Sequence, residues 1–270
     1  MHAKGADKAE TMRLKGKTAL VTGAAHERSI GWGIARALAE EGADVAVNDV
    51  TMLDRLEQRV ADLRALGVRG LAVPADVTLP DQVEAMVARA VEAFRRLDIV
   101  VSNAGVIRWE PFLEITPKNL NAVVNVNLKG TANVCRAAAK QMIAQGGSGR
   151  IILNSSVQSD VQFPITPVYG ATKRAMHIFV GALALELAPF GITVNHFGPG
   201  WVQSPLNDPS PELQTEQAIE TQRQAVPLKR AGRIEEMGRA VVYFASSDGD
   251  YATGAFIRLD GGLGISKYSG

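Results

Sequence analysis

Tyr169 and Lys173 stand four residues apart in "VYGATKRAMHIFVGALALELAPFG". The stretch is patterned as a helix, and four residues is close to one turn, so both side chains leave from the same face. A phenol with a pKa of about 10 is a poor base at neutral pH. A neighbouring ammonium favours the phenolate and draws that pKa toward the working range, which general acid–base catalysis needs. The pair is read as a proton-transfer device for a hydroxyl or carbonyl group. The bland alternative is a Tyr/Lys pair on a solvated helix face.

A second constellation lies near the start, in "TGAAHERSIGWGIARALAEEGADVAVND". Gly23 is followed by seven residues before Gly31 and Gly33, a wider spacing than a dinucleotide loop ordinarily has. The segment nevertheless runs from a strand into a helix, where backbone N–H groups and the helix dipole favour a pyrophosphate. Asp49 falls at the tip of the next strand. A carboxylate there accepts hydrogen bonds from the adenosine ribose and repels a 2′-phosphate, so NAD is the expected cofactor. Arg28 or His26 within the widened loop could reach the adenosine side, which keeps NADP as the alternative.

These residues must be positioned by the elements around them. Short apolar runs alternate with amphipathic stretches: "KTALVTG", "DVAVND", "RGLAVPAD", "LDIVVSNAG", "GRIILNSS", "ITVNHFGPG" and "GAFIRLDGG" read as strands with helices between them. One long helical stretch covers about 117–144. Strands that are apolar on both faces, alternating with helices, imply right-handed parallel crossovers. The expected fold is α/β: a single-domain, Rossmann-like, doubly wound parallel sheet of about seven strands with helices on both faces. Residues 1–14 are polar and read as a flexible arm without the apolar stretch of a signal peptide. The domain is expected over 15–270, with a polar, proline-bearing substrate loop at about 201–230.

Composition excludes several classes. A net charge of +1 gives no electrostatic reason to expect nucleic acid or an anionic membrane as partner. No apolar run reaches the roughly 18–20 residues of a membrane span. Cys135 is the only cysteine, so no intramolecular disulfide can form, and a cytoplasmic site is expected. Within "ANVCRAAA" it reads as core packing. No His, Cys and carboxylate cluster has metal-ligand spacing; His26, His177 and His196 are scattered singly.

From about residue 15 to 262 the chain resembles the short-chain dehydrogenase/reductase family. The resemblance is carried jointly by "SNAG" (102–105), "NVNLKG" (125–130), "NSS" (154–156), "YGATK" (169–173) and "GPG" (198–200). The end of the wide loop, "SIGWGIA", is similar to that of the family's divergent enoyl reductases. There the serine and isoleucine approach the cofactor, which adds Ser29 and Ile30 to the cradle of Gly23, Gly31 and Gly33. That branch spaces its catalytic Tyr and Lys six residues apart. Only three intervene here, so the loop is read as a variant cradle joined to ordinary carbonyl/alcohol chemistry.

The resemblance implies further roles. Lys173 also holds the nicotinamide ribose. Ser156, thirteen residues before Tyr169, orients the substrate oxygen, with Ser155 as its rival. Asn127 holds a helix bulge and a water that links Lys173 to solvent, with Asn125 as rival and a solvent-facing residue as the bland reading. Asp76 and Val77 of "ADV" meet the adenine, and Asn103 and Gly105 line the adenosine side unless they are purely structural. Backbone of Pro199, Gly200 and Val202 lies beside the nicotinamide, and Ser204 reaches its carboxamide.

Substrate is expected over "VQSDVQF", beside Arg108, Trp109 and Glu110 and beneath Trp201 and the loop after it. Gln158, Asp160, Gln162 and Gln203 make that neighbourhood polar, which suits a sugar or polyol. The rival enzyme reading is a 3-oxoacyl thioester or general ketone reductase. A rival from another class is a dinucleotide-sensing module without turnover, which any measured turnover excludes. The helices at about 117–144 and after Tyr169 are similar to those forming four-helix interfaces in the family, so a homotetramer is expected.

Overall fold

The computed structural model describes residues 12–207 and 215–266. Seven strands form one sheet: β1 Thr18–Thr22, β2 Asp44–Asn48, β3 Gly70–Ala72, β4 Ile99–Ser102, β5 Gly149–Asn154, β6 Ile192–Pro199 and β7 Phe256–Leu259. All pairs are parallel, in the order β3-β2-β1-β4-β5-β6-β7. Alternation along the strands feeds two cores. Val21, Val45 and Val101 face a layer made by α1 (Ile30–Glu40), α2 (Leu53–Ala65) and α8 (Ile234–Ala245). Leu20, Ala46 and Val100 face the opposite layer of α3 (Pro80–Phe94), α5 (Thr131–Ala144) and α6 (Pro167–Leu187). Parallel strands covered on both faces read as continuous apolar runs, so the expected doubly wound sheet is the observed one. The strand order reverses between β1 and β4. In such sheets ligands bind outside the carboxyl ends of the strands at that switch point.

Three departures bear on function. The long helical stretch is not one α-helix. α4 (Pro117–Val124) passes through a π-helical segment at Asn125–Gly130 before α5 begins. Periodicity alone does not reveal such a widened turn, because the apolar stripe continues on both sides of it. The expected loop at 201–230 contains a helix, α7 (Glu216–Ala225), capped by Thr215 Oγ1 accepting from Ala218 N. Finally, the arm is not loose at its end. Leu14 is buried and its N–H donates to Glu41 O, while Arg13 pairs with Glu41 and Asp248. The rest of the expected arm, 1–11, lies outside the described residues. Among the described residues no helix is long and apolar enough to cross a membrane.

Candidate active site

β5 ends at Asn154, and the chain turns through Ser155 and Ser156 into a 3-10 turn at Val157–Ser159. Ser156 caps that turn, its Oγ accepting from Gln158 N at 3.1 Å, and its side chain lies close enough to Tyr169 to lower the phenol's proton affinity. Tyr169 and Lys173 lie one turn apart on α6, both buried, with Lys173 Nζ 5.5 Å from the Tyr169 ring centre. The ammonium donates to Asn154 O at 2.7 Å, so strand β5 positions both the serine and the lysine. The rival Ser155 is engaged elsewhere, its Oγ donating to Lys173 O.

Asn127 is fully buried, against its solvent-facing reading. Its Oδ1 accepts from Val106 N and its Nδ2 donates to Val106 O, both at 2.9 Å. The same Nδ2 meets Thr172 Oγ1 at 3.2 Å, and that hydroxyl donates to Tyr169 O. Within the π-helical segment the side chain thus ties the segment after β4 to the turn of α6 that carries Tyr169. A π-bulge opens backbone groups that a regular helix closes, and such bulges recur at functional sites. Asn125 makes no such tie.

Burial decides the proton affinities. It pushes the Tyr169 phenol up to about 12, with the nearby Ser156 side chain acting the other way. It pushes the Lys173 ammonium down to about 7. The expectation that the lysine draws the phenol below its ordinary value is therefore corrected. Desolvation disfavours both charged forms. At neutral pH the Tyr169 phenol is therefore protonated and able to donate. In the reverse direction it accepts a proton only as the pH rises.

The glycine loop fits a dinucleotide. Gly23 has φ +68°, and a Cβ on Gly31 would stand 2.3 Å from Gly23 O, so the loop folds onto the start of α1 with no room for a side chain. Ser29 caps that helix, its Oγ accepting from Trp32 N. Asp49 accepts from Ala25 N through Oδ2 and from Val50 N through Oδ1, which fastens the loop to the tip of β2. Ile30, Asn103, Gly105, Pro199, Gly200 and Ser204 all line one cavity with the catalytic residues. Ser204 Oγ is buried in its wall without a hydrogen-bond partner among the described residues, a donor that suits a carboxamide. When bound, the nicotinamide supplies or takes up the hydride.

Four further expected cofactor residues do not line that cavity. Gly33 admits close packing between helices, since a Cβ there would meet Ile234 of α8 at 2.6 Å. Val202 is buried and bridges to Gly232. Asp76 caps its own turn through Thr78 N and Oγ1, and Val77 is buried against Gly130. Asn103 lines the cavity, but its amide ties three strand tips together. Nδ2 donates to Thr22 O, and Oδ1 accepts from Asn154 Nδ2.

The cavity has a volume of about 320 Å³, within the range of small-molecule sites. Tyr169, Ser156 and Lys173 form its reactive end. Trp109, Phe163 and Trp201 supply aromatic walls, and Gln158 is the one expected polar substrate residue that lines it. Asp160 and Gln162 instead face a separate cleft beside α6, where Asp160 pairs with Arg174 at 2.8 Å. Arg108 is exposed and turned to Asn119, Glu110 accepts from that same Asn119, and Gln203 is exposed. The 3-10 turn after Ser156 breaks the alternation that would have kept 158, 160 and 162 together. Leu206, Gln222, Val226 and Leu263 also line the cavity. The sequence carried no motif for them, only their place in or after a loop expected to cover substrate. Among the described residues no cluster of three or more His, Cys, Asp or Glu could hold a metal ion.

Residues 23–264 match a family model described as enoyl-(acyl carrier protein) reductase. The chain is 35% identical over 253 residues to L-rhamnose 1-dehydrogenase (NAD(P)(+)) from Sphingomonas sp. strain SKA58, covering 94% of this chain and 98% of that one. It is 38% identical over 247 residues to 3-oxoacyl-[acyl-carrier-protein] reductase FabG of Staphylococcus aureus, covering 92% and 98%. A solved short-chain type dehydrogenase/reductase from Mycobacterium marinum superposes with a TM-score of 0.87 at 32% identity, covering 95% of this chain and 99% of that one. The chain belongs to the short-chain dehydrogenase/reductase family and is an NAD(P)-linked oxidoreductase of hydroxyl and carbonyl groups.

Proposed function

We propose that the enzyme oxidises one hydroxyl of a sugar or polyol, with Tyr169 taking the proton, Ser156 orienting the oxygen and Lys173 holding the cofactor ribose. The observation that carries this reading is the combination of aromatic walls with isolated amides. Sugar rings present apolar C–H faces that lie against aromatic side chains, while their hydroxyls reach polar groups at the rim. Trp109, Phe163 and Trp201 offer the first, Gln158 the second. The similarity to an L-rhamnose 1-dehydrogenase supports the same class. The rival is a 3-oxoacyl thioester or ketone reductase, favoured by the apolar share of the walls and by the FabG relative. A panel of aldoses, polyols, secondary alcohols, ketones and acyl thioesters, followed by nicotinamide absorbance, tests it. Activity on thioesters or apolar ketones and none on carbohydrates replaces this reading by the rival.

NAD is the preferred cofactor in this proposal, because the Asp49 carboxylate at the tip of β2 opposes a 2′-phosphate. We also infer a homotetramer working in the cytoplasm. Ile178 and Leu185 lie seven residues apart on α6 and are 78% and 81% exposed. An apolar stripe left in water on the same helix as the catalytic pair is what a partner helix would cover. Light scattering showing a monomer at micromolar concentration refutes the assembly.

A further inference from the structure

The outer side of the catalytic cavity is closed by α7, and its inward face has an unusual composition. Ala218, Gln222 and Ala225, spaced at i, i+4 and i+7, line the cavity together. Two of the three are cut back to a methyl group, which leaves the central glutamine as the one long side chain that α7 turns inward. The other polar side chains around it are engaged. Arg223 and Gln224 both donate to Glu220, and Thr221 donates to Gln217 O. Gln222 is half-buried and has no hydrogen-bond partner among the described residues.

Gln158 lines the same cavity from the turn after Ser156. Its Oε1 accepts from Thr166 Oγ1 at 2.7 Å, which fixes the amide and leaves its N–H groups for a ligand. Apart from Asn103 and Asn154 at the strand tips, the cavity therefore carries two amides, one on the scaffold and one on the covering helix, in walls that are otherwise mainly apolar and aromatic. An amide that a bound substrate would cut off from water is destabilising unless that substrate hydrogen-bonds it.

We propose that Gln222 is a specificity-determining residue that hydrogen-bonds a second oxygen of the substrate, away from the carbon that reacts. It rests on the sugar or polyol reading above for the identity of that oxygen, though not for its existence. Because Gln222 sits on α7 and not on the sheet, it selects substrates carrying a polar group at that distance and disfavours those with a methylene there. A site built to hydrogen-bond a substrate oxygen rejects the analogue lacking it far more strongly than an apolar pocket distinguishes one methylene.

The test uses the best substrate of the panel and its analogue lacking one oxygen remote from the reacting carbon. The readout is the ratio of the two kcat/KM values in the wild type, in Gln222→Leu and in Gln222→Asn. The leucine variant should lower the ratio at least about tenfold, mostly through KM of the oxygenated substrate, while the deoxy analogue is unchanged or improved. The asparagine variant, with a shortened amide, should fall between them. Equal loss on both substrates would mean that Gln222 only shapes α7, and an unchanged ratio would mean no contact; either overturns the proposal. The wild-type panel alone judges the sugar reading. If the best substrate is a ketone or thioester, that reading fails and the ratio still decides Gln222.

Discussion

Lys173 carries a cost that can be measured apart from turnover. It is 3% exposed, and burial lowers its pKa from 10.5 to about 7. Below pH 7 the folded protein must hold an ammonium away from water. At 1.36 kcal/mol per pH unit that displacement amounts to about 5 kcal/mol. The sign follows from proton counts. Between pH 7 and 10.5 the unfolded chain binds the proton and the folded one does not, so stability rises with pH. The full contribution is present above 10.5 and is lost as pH falls through 7. Tyr169 acts in a higher window. Its pKa is raised from 10 to about 12, so the stability it gives is present below pH 10 and is lost as pH rises through 12.

Lys173→Met keeps the length and apolar stem and removes the charge. It leaves Asn154 O without its 2.7 Å donor, a loss of about 1–3 kcal/mol. The net gain at pH 6.5 should therefore be about 2–4 kcal/mol, in a variant with no turnover. Urea unfolding of the cofactor-free protein at half-unit steps from pH 6.5 to 9.5 reads both quantities. The difference between variant and wild type should shrink by up to about 1.4 kcal/mol per pH unit across the upper part of that range. A difference that does not vary with pH refutes the claim that Lys173 is buried at the expense of its charge. A variant less stable than wild type at pH 6.5 refutes it too.

The remaining expectations are shorter. Tyr169→Phe should lower kcat by about 10²–10⁴-fold with cofactor binding nearly intact, and retention of more than about a tenth of the activity sinks its role as acid and base. In the wild type, oxidation should accelerate toward alkaline pH as the phenol, held at about 12, begins to ionise; an oxidation rate falling from pH 7 to 9 contradicts this. Asp49→Ser should narrow the NAD to NADP ratio of kcat/KM, and a wild type that already prefers NADP means that the widened loop overrides the carboxylate. His196 is buried in β6, with both ring nitrogens lacking a hydrogen-bond partner among the described residues and its pKa pushed down to about 4. As pH falls from 6.5 to 4 the unfolded chain takes up a proton that the folded one resists, costing about 3 kcal/mol. His196→Leu should flatten that acid-side loss in urea unfolding, and an unchanged acid slope refutes the assignment.

The sheet was legible because parallel strands buried on both faces leave continuous apolar runs, and the helices between them leave amphipathic ones. The proton-transfer pair was legible because Tyr169 and Lys173 share a helix face by spacing alone. Other placements depended on partners distant in sequence. Nothing in "VQSDVQF" shows that Arg174, the residue after Lys173 on α6, draws Asp160 away from the cavity. Gly33 reads as part of a phosphate loop until Ile234, two hundred residues later, packs against it. The π-helical segment at Asn127 hides inside an unbroken helical pattern. α7 has no buried side chain, and its sequence is as polar as a loop.

That contrast between scaffold and cover has a consequence for substrate. The reactive end is fixed by ties among strand tips. Asn103 links Thr22 at the end of β1 to Asn154 at the end of β5, and Asn154 O in turn holds Lys173. Changes there would disturb cofactor and proton transfer together. The other walls of the cavity come mostly from the turn after Ser156, from Trp201 onward and from α7, and the side chains of α7 hold up no part of the core. Substitutions in those segments alter what is recognised without altering how it reacts. This explains how similar identity, 35% to a rhamnose dehydrogenase and 38% to a 3-oxoacyl reductase, coexists with different substrates. Overall likeness follows the scaffold, while in the proposal above the choice of substrate rests on a few positions such as Gln158 and Gln222. Under that proposal, variants at those positions discriminate between the two readings where identity over the whole chain does not.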